Sequence, residues 1–314
     1  MNVLVTGASG FVGKAFVSRF AGAGGMRIHG IGRRPSSDPA YSAIDLSRPF
    51  ELAFRPDVVI HCAARSSPWG TRAEFEAANV EATRNVIAFC ERSGTPRLVY
   101  VSTTAVFYRN ADQLELTEDS PIGPAFVNAY AATKRAGELL VERYAGSWIV
   151  LRPRAVFGPG DTTLFPRVLR AARAGRLPLL RRAGLPARSD LIYVDTLCDY
   201  IAAAARSALG GAFNLTNAEP VETQAFLLGI LRRLGVPLPT RSVDARLAFA
   251  LAGALEAAYR VASPQREPPV TRFGVAALAY SKTFDVRKAV AAFGPPSVSI
   301  EEGVDRFVRW ARAS

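Results

Sequence analysis

Short, continuously apolar stretches alternate with helical segments along the first half of the chain. Strands that lack polar alternation are typical of a parallel sheet that helices cover on both faces. The predicted strands are Asn2–Thr6, Arg27–Ile31, Val58–His61, Arg97–Ser102 and Ser147–Pro153. The predicted helices run through Phe20, over Glu74–Glu91 and over Ala129–Tyr144. This alternation predicts an α/β protein with a doubly wound parallel sheet.

The alternation loosens after Gly158, where proline-rich connections begin. The later stretches "SDLIYVD" and "AFNLT" have the composition of strands that return to the main sheet. The sequence therefore predicts a main domain of residues 1–157 plus returning segments near 190–216. Residues 158–189 and 217–314 are predicted to form a small mixed C-terminal lobe.

The chain of 314 residues carries a formal net charge of +12, with 35 arginines and 4 lysines. These basic residues are dispersed, and the longest runs are pairs such as Arg33-Arg34 and Arg181-Arg182. A groove for nucleic acid would cluster the charge and interleave aromatic side chains, so nucleic acid is not an expected partner. An anionic small-molecule cofactor or substrate fits the charge better.

The patterns of cysteine, histidine and hydropathy argue against three classes of protein: secreted, metal-binding and membrane-spanning. The three cysteines are scattered, which favours a reducing cytoplasmic location. The two histidines lack paired-ligand spacing, so no metal site is expected. The N-terminus lacks a signal-peptide pattern, and no stretch is long enough to span a membrane. Leu247–Leu255 comes nearest, and it is expected to pack within the lobe, with a weak membrane-surface contact as the alternative.

Glycines spaced three residues apart join the first predicted strand to the first predicted helix. Gly7 permits a tight turn, Gly10 lets the backbone approach a pyrophosphate, and Gly13 lets the helix pack against its strand. The helix N-terminus then points at the phosphates of a bound dinucleotide. A glycine loop at this place predicts a Rossmann-like fold. The residues assigned to a dinucleotide site from this loop are Gly7, Ser9, Gly10, Phe11, Val12 and Gly13.

The residue after the second predicted strand indicates which dinucleotide binds. An NAD site usually has an acidic residue about twenty positions past the glycine loop, to hold the ribose 2′-hydroxyl. Here that place is taken by Arg33, followed by Arg34. A guanidinium pairs with a 2′-phosphate through two hydrogen bonds, whereas a carboxylate repels it. The sequence therefore favours NADP(H), with NAD(H) as the alternative.

The stretch "NAYAATKRAGE" places Tyr130 four residues before Lys134. On a helix this spacing brings both side chains to one face, about 6 Å apart along the axis. At a separation of about 4 Å and an effective dielectric of about 20, an ammonium attracts a phenolate by about 4 kcal/mol. We therefore expect Lys134 to lower the pKa of Tyr130 toward the range of a general acid.

Together with the glycine loop and "YAATK", the strand end "YVSTTAVF" resembles the extended short-chain dehydrogenase/reductase superfamily. The resemblance extends, in order, to "IDL", "HCAA", "ANVEATRNV", "LRPRAVFGPGD" and "DLIYVDTLCD". It implies that Tyr130 and Lys134 are catalytic and also bind the cofactor. It implies that Asn79 is a scaffold residue or, alternatively, a proton relay. Further cofactor contacts are implied at Asp45, Leu46, Cys62, Ala63, Ala64, Pro153 and Val156.

The third catalytic member of that superfamily is a Ser or Thr that hydrogen-bonds the substrate oxygen. The resemblance places it at Thr103, with Thr104 as the register-shifted alternative. Tyr108 and Arg109 stand where a glycine is usual, which leaves this register open. In reduction, a hydride from nicotinamide would reach a substrate carbonyl while Tyr130 donates a proton.

"SSPWG" at Ser66–Gly70 and the C-terminal "FDVRKA" resemble the 3β-hydroxysteroid dehydrogenase-like branch, which includes bacterial sterol and 2-alkyl-3-ketoacid reductases. This branch implies an apolar substrate slot, for which Trp69, Phe165 and Phe273 are candidates beside Leu247–Leu255. Aromatic residues of this kind are more often plain core than ligand contacts, so a core role is the alternative. The residues assigned to substrate contact are Trp69, Thr104 and Arg154.

The expected function is that of an NAD(P)-dependent oxidoreductase that interconverts a secondary alcohol and a ketone. Its substrate would be apolar, either sterol-like or like a 3-keto or 3-hydroxy acid. The alternative is a nucleotide-sugar epimerase, dehydratase or reductase, whose diphosphate could be bound by Arg154, Arg167 and Arg188. The resemblance also implies a homodimer that pairs through the helices predicted at Glu74–Glu91 and Ala129–Tyr144.

Overall fold

The computed structural model describes residues 1–23 and 25–313. Over these residues seven parallel strands form the main sheet, in the spatial order β12-β7-β5-β4-β1-β2-β3 given below. Its strands are β1 (Asn2–Thr6), β2 (Arg27–Gly32), β3 (Tyr41–Ala43), β4 (Val58–His61), β5 (Arg97–Val101), β7 (Trp148–Pro153) and β12 (Gly211–Leu215). The order reverses between β1 and β4, which is the topological switch point where such sheets bind ligands. The predicted α/β, Rossmann-like doubly wound sheet is confirmed.

Helices cover both faces of this sheet. Successive residues of each strand point to opposite sides, so apolar side chains on both sides have to be buried. In β1, Val3 and Val5 join one apolar core, whereas Leu4 joins the other. The helices are α1 (Phe11–Phe20), α2 (Arg72–Glu76), α3 (Ala82–Arg92), α4 (Ala129–Val141), α5 (Phe165–Arg173), α6 (Val194–Arg206), α7 (Thr223–Arg233), α8 (Ala245–Ala262), α9 (Arg272–Ala279), α10 (Arg287–Phe293) and α11 (Ile300–Ala313). Both cores contain β-branched and aromatic side chains, as expected for strands buried on both faces.

A second, mixed sheet with the strand order β13-β10-β15-β6 belongs to the smaller lobe. The remaining strands are β6 (Gln113–Leu116), β8 (Val156–Phe157), β9 (Leu179–Arg181), β10 (Arg188–Ser189), β11 (Ile192–Tyr193), β13 (Val221–Glu222), β14 (Ser242–Asp244) and β15 (Lys282–Phe284). The strand β6 lies within residues 1–157, yet it pairs with β15 of the lobe. The lobe is therefore tied to the main domain by strand pairing as well as by connections along the chain.

The two stretches that were predicted to return to the main sheet behave differently. Gly211–Leu215 pairs with β7, as predicted. The prediction was wrong for "SDLIYVD", because Ile192–Tyr193 pairs with Val156–Phe157 in a separate two-stranded sheet. Helix α6 begins directly at Val194, so only two residues remain extended for pairing.

The long helix predicted at Glu74–Glu91 contains an irregular turn. It begins as α2 after a capping box in which Thr71 and Glu74 bond each other's backbone N–H groups. A π-helical turn over Ala77–Glu81 follows, and α3 continues the helix. The turn carries Asn79, whose amide bonds the backbone of Arg65 and the hydroxyl of Thr133. These are the contacts of a scaffold residue.

Helix α8 contains the stretch Leu247–Leu255 that was expected to pack within the lobe. One face does so against α9, where the buried Glu256 accepts hydrogen bonds from the backbone and side chain of Arg272. Leu247 and Leu251 on the other face are 55% and 53% exposed. Among residues 1–23 and 25–313, no helix combines the length and apolar character that crossing a bilayer requires.

Candidate active site

The glycine loop connects β1 to α1 at the switch point of the sheet. Gly7 has φ +69°, and a Cβ there would lie 2.7 Å from the backbone nitrogen of Ala63. A Cβ at Gly13 would collide with the carbonyl of Gly7. Both positions therefore require glycine for steric reasons, as the motif predicts.

The N-terminus of α1 has the features of a phosphate cradle. Its cap is Gly10, whose amide donates to the carbonyl of Gly7 at 2.8 Å. Among the residues that the structure describes, no side chain caps this terminus, and its first turn contains no acidic residue. The free amides and the positive end of the helix dipole suit an anionic group, so these residues fit a dinucleotide pyrophosphate. Ser9 lies in the turn, and Phe11 and Val12 begin the helix.

Both arginines that follow β2 are exposed beside this loop. The Arg34 guanidinium donates to the carbonyl of Ser9 at 3.2 Å, which joins the two segments. Asp45 is also exposed, and its pKa is lowered by hydrogen bonds from Ser47 and by the positive charges of Arg33 and Arg48. The neighbouring Leu46 is buried. The structure thus places Arg33 and Arg34, at the end of β2, and the predicted cofactor contacts Asp45 and Leu46, at the end of β3, on the same side of the sheet.

The strand end "HCAA" lies directly against the glycine loop. The amide of Ala63 is 3.3 Å from the hydroxyl of Thr6 at the end of β1. Cys62 and Ala63 are half-buried, and Ala64 is exposed. The "HCAA" residues predicted to contact the cofactor therefore lie at the switch point, together with the loop.

His61 is fully buried between two threonines. Its ring nitrogens lie 2.7 Å from the hydroxyl of Thr6 and 3.0 Å from that of Thr83. Burial, assisted by the charge of Lys134, lowers the pKa of His61 to about 3. The imidazole is therefore neutral at physiological pH and acts as a hydrogen-bonded link in the core.

This histidine predicts a pH dependence of folding. Because its folded pKa of about 3 lies below its unfolded value of 6.5, the unfolded chain binds a proton that the folded chain excludes. The contribution of His61 to the free energy of unfolding is fully present above pH 6.5. It decreases as the pH falls, by about 2 kcal/mol between pH 6.5 and pH 5. Urea unfolding of the wild type and of His61→Gln at pH 7.5 and pH 5 measures this loss. The variant should lack this part of the slope, and an equal slope in both proteins would contradict the assignment.

The two threonines after β5 have different surroundings. Thr103 is half-buried, and its hydroxyl accepts from the amide of Ala105 at 3.1 Å. The Thr103 side chain also lowers the pKa of the Tyr130 phenol, against the larger effect of burial. Thr104 is buried, and its hydroxyl lies 3.3 Å from that of Tyr108 and 3.5 Å from the carbonyl of Pro153. Thr103 is thus the more exposed of the two hydroxyl side chains, and Thr104 is bonded within the protein interior.

Lys134 lies one turn after Tyr130 on α4 and is 1% exposed. Its ammonium donates to the carbonyl of Val101 at 2.8 Å and lies 4.0 Å from the ring centre of Tyr100. Burial lowers the pKa of Lys134 to about 7. The carboxylate of Glu138, one turn further along, acts in the opposite direction.

The expected fall in the pKa of Tyr130 is not seen. Burial raises the pKa of Tyr130 to about 12, and the Thr103 hydrogen bond offsets only part of that increase. The expectation was wrong because it treated the two side chains as an isolated pair in a polar medium. In the structure the phenol is desolvated, and the ammonium is held by the Val101 carbonyl.

A buried ion pair beneath this helix was not anticipated from the sequence. The Glu138 carboxylate accepts from both the Nε and Nη2 atoms of Arg152 at 2.9 Å. It also accepts from the Ser102 hydroxyl at 2.5 Å and from Arg135 at 2.8 Å. Burial raises the pKa of Glu138, but these hydrogen bonds and the positive charge of Arg152 outweigh burial and lower it. Tyr130, Lys134 and Glu138 are spaced four residues apart, which was the available signal.

The predicted substrate residues are only partly brought together. Trp69 is buried, and its indole donates to the carbonyl of Pro264 at 3.0 Å, while Arg260 lies over its ring. It ties the loop after β4 to the end of α8. Phe273 stacks on Tyr108, with ring centres 6.4 Å apart, and so lies near Thr104.

The three candidate arginines for a diphosphate differ in burial and in their partners. Arg154 is buried beside Tyr108. Arg167 forms an ion pair with Glu267, and Arg188 is exposed and donates to the carbonyl of Pro220. Pro153 is buried at the end of β7, and Val156 is half-buried on β8. Phe165 lies in the aromatic core with Phe157 and Phe307.

The fold, with a glycine loop at its switch point, defines a class of dinucleotide-binding enzymes. The model of the NAD dependent epimerase/dehydratase family matches residues 3–216. The chain belongs to this family. It is an NAD-dependent oxidoreductase of the extended short-chain dehydrogenase/reductase type, with relatives in the 3β-hydroxysteroid dehydrogenase-like branch.

Individual relatives show which enzymes the chain is similar to. The chain is 34% identical to a 2-alkyl-3-oxoalkanoate reductase of Shewanella oneidensis, over 98% of this chain and 85% of that protein. It is 30% identical to a decarboxylating sterol-4-alpha-carboxylate 3-dehydrogenase of Mus musculus, over 80% of this chain and 73% of the relative. Among solved structures, a UDP-glucuronic acid 4-epimerase from Bacillus cereus in complex with NAD is similar with a TM-score of 0.74 and 19% identity. That similarity covers 100% of this chain and 99% of the epimerase, and it concerns the fold.

Proposed function

We propose that this enzyme interconverts a ketone and a secondary alcohol on an apolar 3-oxo or 3-hydroxy acid, with NADP(H) as cofactor. The observation that carries the proposal is the 34% identity to a 2-alkyl-3-oxoalkanoate reductase over 98% of the chain. The mouse relative is a 3-dehydrogenase of a 4-carboxylate. Both names describe an oxygen-bearing carbon whose neighbouring carbon carries a carboxylate.

The residues of this chain would divide the reaction as follows. Tyr130 would donate a proton to the substrate oxygen during reduction, and Thr103 would hold that oxygen. A pKa of about 12 keeps Tyr130 protonated at neutral pH, which is the form that a proton donor needs. Lys134 would bind the nicotinamide ribose. When bound, the reduced nicotinamide supplies the hydride.

The apolar part of the substrate has a candidate wall next to these residues. Phe273 of the lobe is half-buried and stacks on Tyr108. Tyr108 in turn contacts Thr104, which adjoins Thr103. A chain or ring system bound against Phe273 would therefore extend from the reacting carbon into the lobe. Burying each CH2 group there contributes about 0.8 kcal/mol of affinity.

The preference for NADP(H) rests on the arginines after β2. We expect Arg33→Ala to raise the KM for NADPH by about 10- to 100-fold, since hydrogen bonds to charged groups contribute about 1.5–3 kcal/mol. The KM for NADH should change little, because NADH lacks the 2′-phosphate. Initial rates with each cofactor at a fixed substrate concentration measure both constants.

Arg55→Ala is the matched control for this variant. Arg55 is also exposed, but it lies just before the N-terminal end of β4, whereas the glycine loop lies at the C-terminal end of β1. Its loss removes the same charge and should leave both KM values unchanged. A wild-type enzyme that prefers NADH, or an Arg33→Ala variant with unchanged NADPH kinetics, would contradict the NADP(H) assignment.

The proposed function is tested by identifying the cofactor and then the substrate. The purified protein is denatured, and any released nucleotide is identified. An empty site that binds NADPH ahead of NADH, followed by oxidation of a 2-alkyl-3-hydroxyalkanoate with NADP⁺, is the expected result. Retention of one NAD per chain, with turnover of a UDP-sugar, would instead indicate the internal redox cycle of an epimerase.

A further inference from the structure

A cluster of buried charges lies behind Thr104, and proton transfer by Tyr130 does not require it. Its members come from separate segments of both lobes: Tyr108 after β5, Arg154 directly after β7, Asp190 after β10, and Lys282 on β15. All four are at most 8% exposed. Burying an ion costs several kcal/mol, so a functional or structural role has to account for this cluster.

Arg154 is the least satisfied member of this cluster. One guanidinium nitrogen donates to the Ser189 hydroxyl at 2.6 Å, and the guanidinium carbon lies 5.1 Å from the ring centre of Tyr108. Its Nε atom is buried, with no hydrogen-bond partner in the described part of the chain. A buried donor without a partner costs free energy, and an acceptor supplied from outside the chain would remove that cost.

Lys282 adds a second cation to the same place. Its ammonium donates to the carbonyls of Ala111 and Ser281 and lies 5.7 Å from the ring centre of Tyr108. Burial and the charge of Arg154 lower the pKa of Lys282 to about 8. The ammonium form therefore still predominates at neutral pH, so two positive charges flank one tyrosine ring.

The acidic member of the cluster only partly balances these cations. Asp190 accepts from the amide of Phe284 at 2.8 Å through one oxygen. Its other oxygen, Oδ1, is buried without a partner among the described residues. Burial raises the pKa of Asp190 to about 6. With Arg154 and Lys282 charged, the cluster has a net positive charge at neutral pH.

The cluster adjoins the reacting groups through Tyr108. The Tyr108 hydroxyl lies 3.3 Å from that of Thr104, and Tyr108 is close enough to Tyr130 to raise its pKa. Arg154 follows Pro153, whose carbonyl faces Thr104. An anionic group attached near the reacting carbon would therefore find a cation within the same site.

We propose that Arg154, with Lys282 behind it, binds the carboxylate that lies next to the reacting carbon of the substrate. The inference rests on the proposed function and names the residues that give it specificity. A guanidinium binds a carboxylate through two parallel hydrogen bonds, and the free Nε of Arg154 offers one of these donors. A ketone without a neighbouring carboxylate would leave that donor unpaired, which selects against it.

The test compares a 2-alkyl-3-hydroxyalkanoate with its methyl ester, both oxidised with NADP⁺. The ester keeps the carbinol and the hydrocarbon chain but removes the charge. We expect the wild type to favour the acid in kcat/KM. Arg154→Gln should lower kcat/KM for the acid by about 10- to 100-fold and change that for the ester by less than about threefold. Arg154→Lys, which keeps the charge but not the planar guanidinium, should lie between them.

Arg181→Gln on β9 is the matched control, since Arg181 is exposed and its replacement removes the same charge. This variant should leave both substrates unaffected. Equal losses for acid and ester in Arg154→Gln would show a merely structural role and overturn the inference. Equal kcat/KM values of the wild type for acid and ester would overturn it as well, while the proposed function would stand.

A separate measurement on the wild type covers the case in which Arg154→Gln does not fold. A 2-alkylalkanoate should inhibit oxidation of the methyl ester at least tenfold more strongly than its primary amide. Equal inhibition by the two compounds would overturn the inference. If neither the hydroxy acid nor its ester is oxidised, the proposed function is wrong and the inference falls with it.

Discussion

Replacing Tyr130 by phenylalanine is expected to lower kcat by about 10²- to 10⁴-fold, the usual contribution of a positioned general acid. The ring keeps its place on α4, and only the hydroxyl is lost. Binding of NADPH should therefore persist. Steady-state rates with the 3-hydroxy acid, together with fluorescence titration of NADPH, measure the two effects separately.

Tyr259→Phe is the control for this variant, because Tyr259 lies on helix α8 of the lobe and loses the same hydroxyl. Its kcat should equal that of the wild type. Turnover by Tyr130→Phe within a few-fold of the wild type would contradict the assignment of Tyr130 as proton donor. A loss of NADPH binding in step with kcat would mean that the phenol acts on the fold or the cofactor site.

The largest expected effect on stability comes from Glu138→Gln. Arg152 is 3% exposed and loses the carboxylate that accepts two of its hydrogen bonds. Removing one partner of a buried ion pair leaves an uncompensated charge and costs about 3–5 kcal/mol. The free energy of unfolding, obtained from urea titrations at pH 7, should fall by that amount.

Glu142→Gln provides the matched control, since Glu142 pairs with the same Arg135 but its side chain is 35% exposed. Its effect should stay below about 1 kcal/mol. The double variant Glu138→Gln/Arg152→Met should recover part of the loss, because it removes the unpaired cation. Equal stability of Glu138→Gln and Glu142→Gln would contradict the assigned role of the buried pair.

The pKa of Glu138 gives the pH range of this contribution. Its folded pKa is below the ordinary value of 4.5, so the stabilisation is complete above that value. It is lost as the pH falls through the folded pKa. The difference between wild type and Glu138→Gln should therefore be constant near neutrality and shrink only in acid.

The sheet and the glycine loop could be predicted because their requirements are local. Continuous apolar strands specify burial on both faces. A Cβ at Gly7 would meet the backbone of Ala63, and a Cβ at Gly13 would meet the carbonyl of Gly7. The class of enzyme then followed from the order of short motifs. The roles of Thr103, Tyr130 and Lys134, the NADP(H) preference and the homodimer remain predictions.

The buried polar contacts could not be predicted because their partners are distant in sequence. His61 and Thr6 are 55 residues apart, and Glu138 and Arg152 are 14 apart. Only the folded sheet brings them together. The pKa of Tyr130 was misjudged for the same reason, since desolvation depends on the whole surrounding structure.

Tyr108 shows how a departure from a family pattern can be accommodated. A glycine was expected there, but the backbone has φ −67° and ψ 137°, which any residue adopts. The larger side chain therefore costs no backbone strain. It stacks on Phe273 and lies beside Arg154 and Lys282, so this position carries contacts that a glycine could not make.

The π-helical turn at Ala77–Glu81 restricts changes in chain length. Deleting one residue there would restore regular α-helical winding with α2 and α3 in nearly the same register, because the widened turn itself accommodates the extra residue. The deletion would remove the wide turn that carries Asn79, so the Asn79 amide would no longer be held where it bonds the Arg65 backbone and the Thr133 hydroxyl. Homologous chains should therefore keep both the length of this segment and the asparagine that corresponds to Asn79.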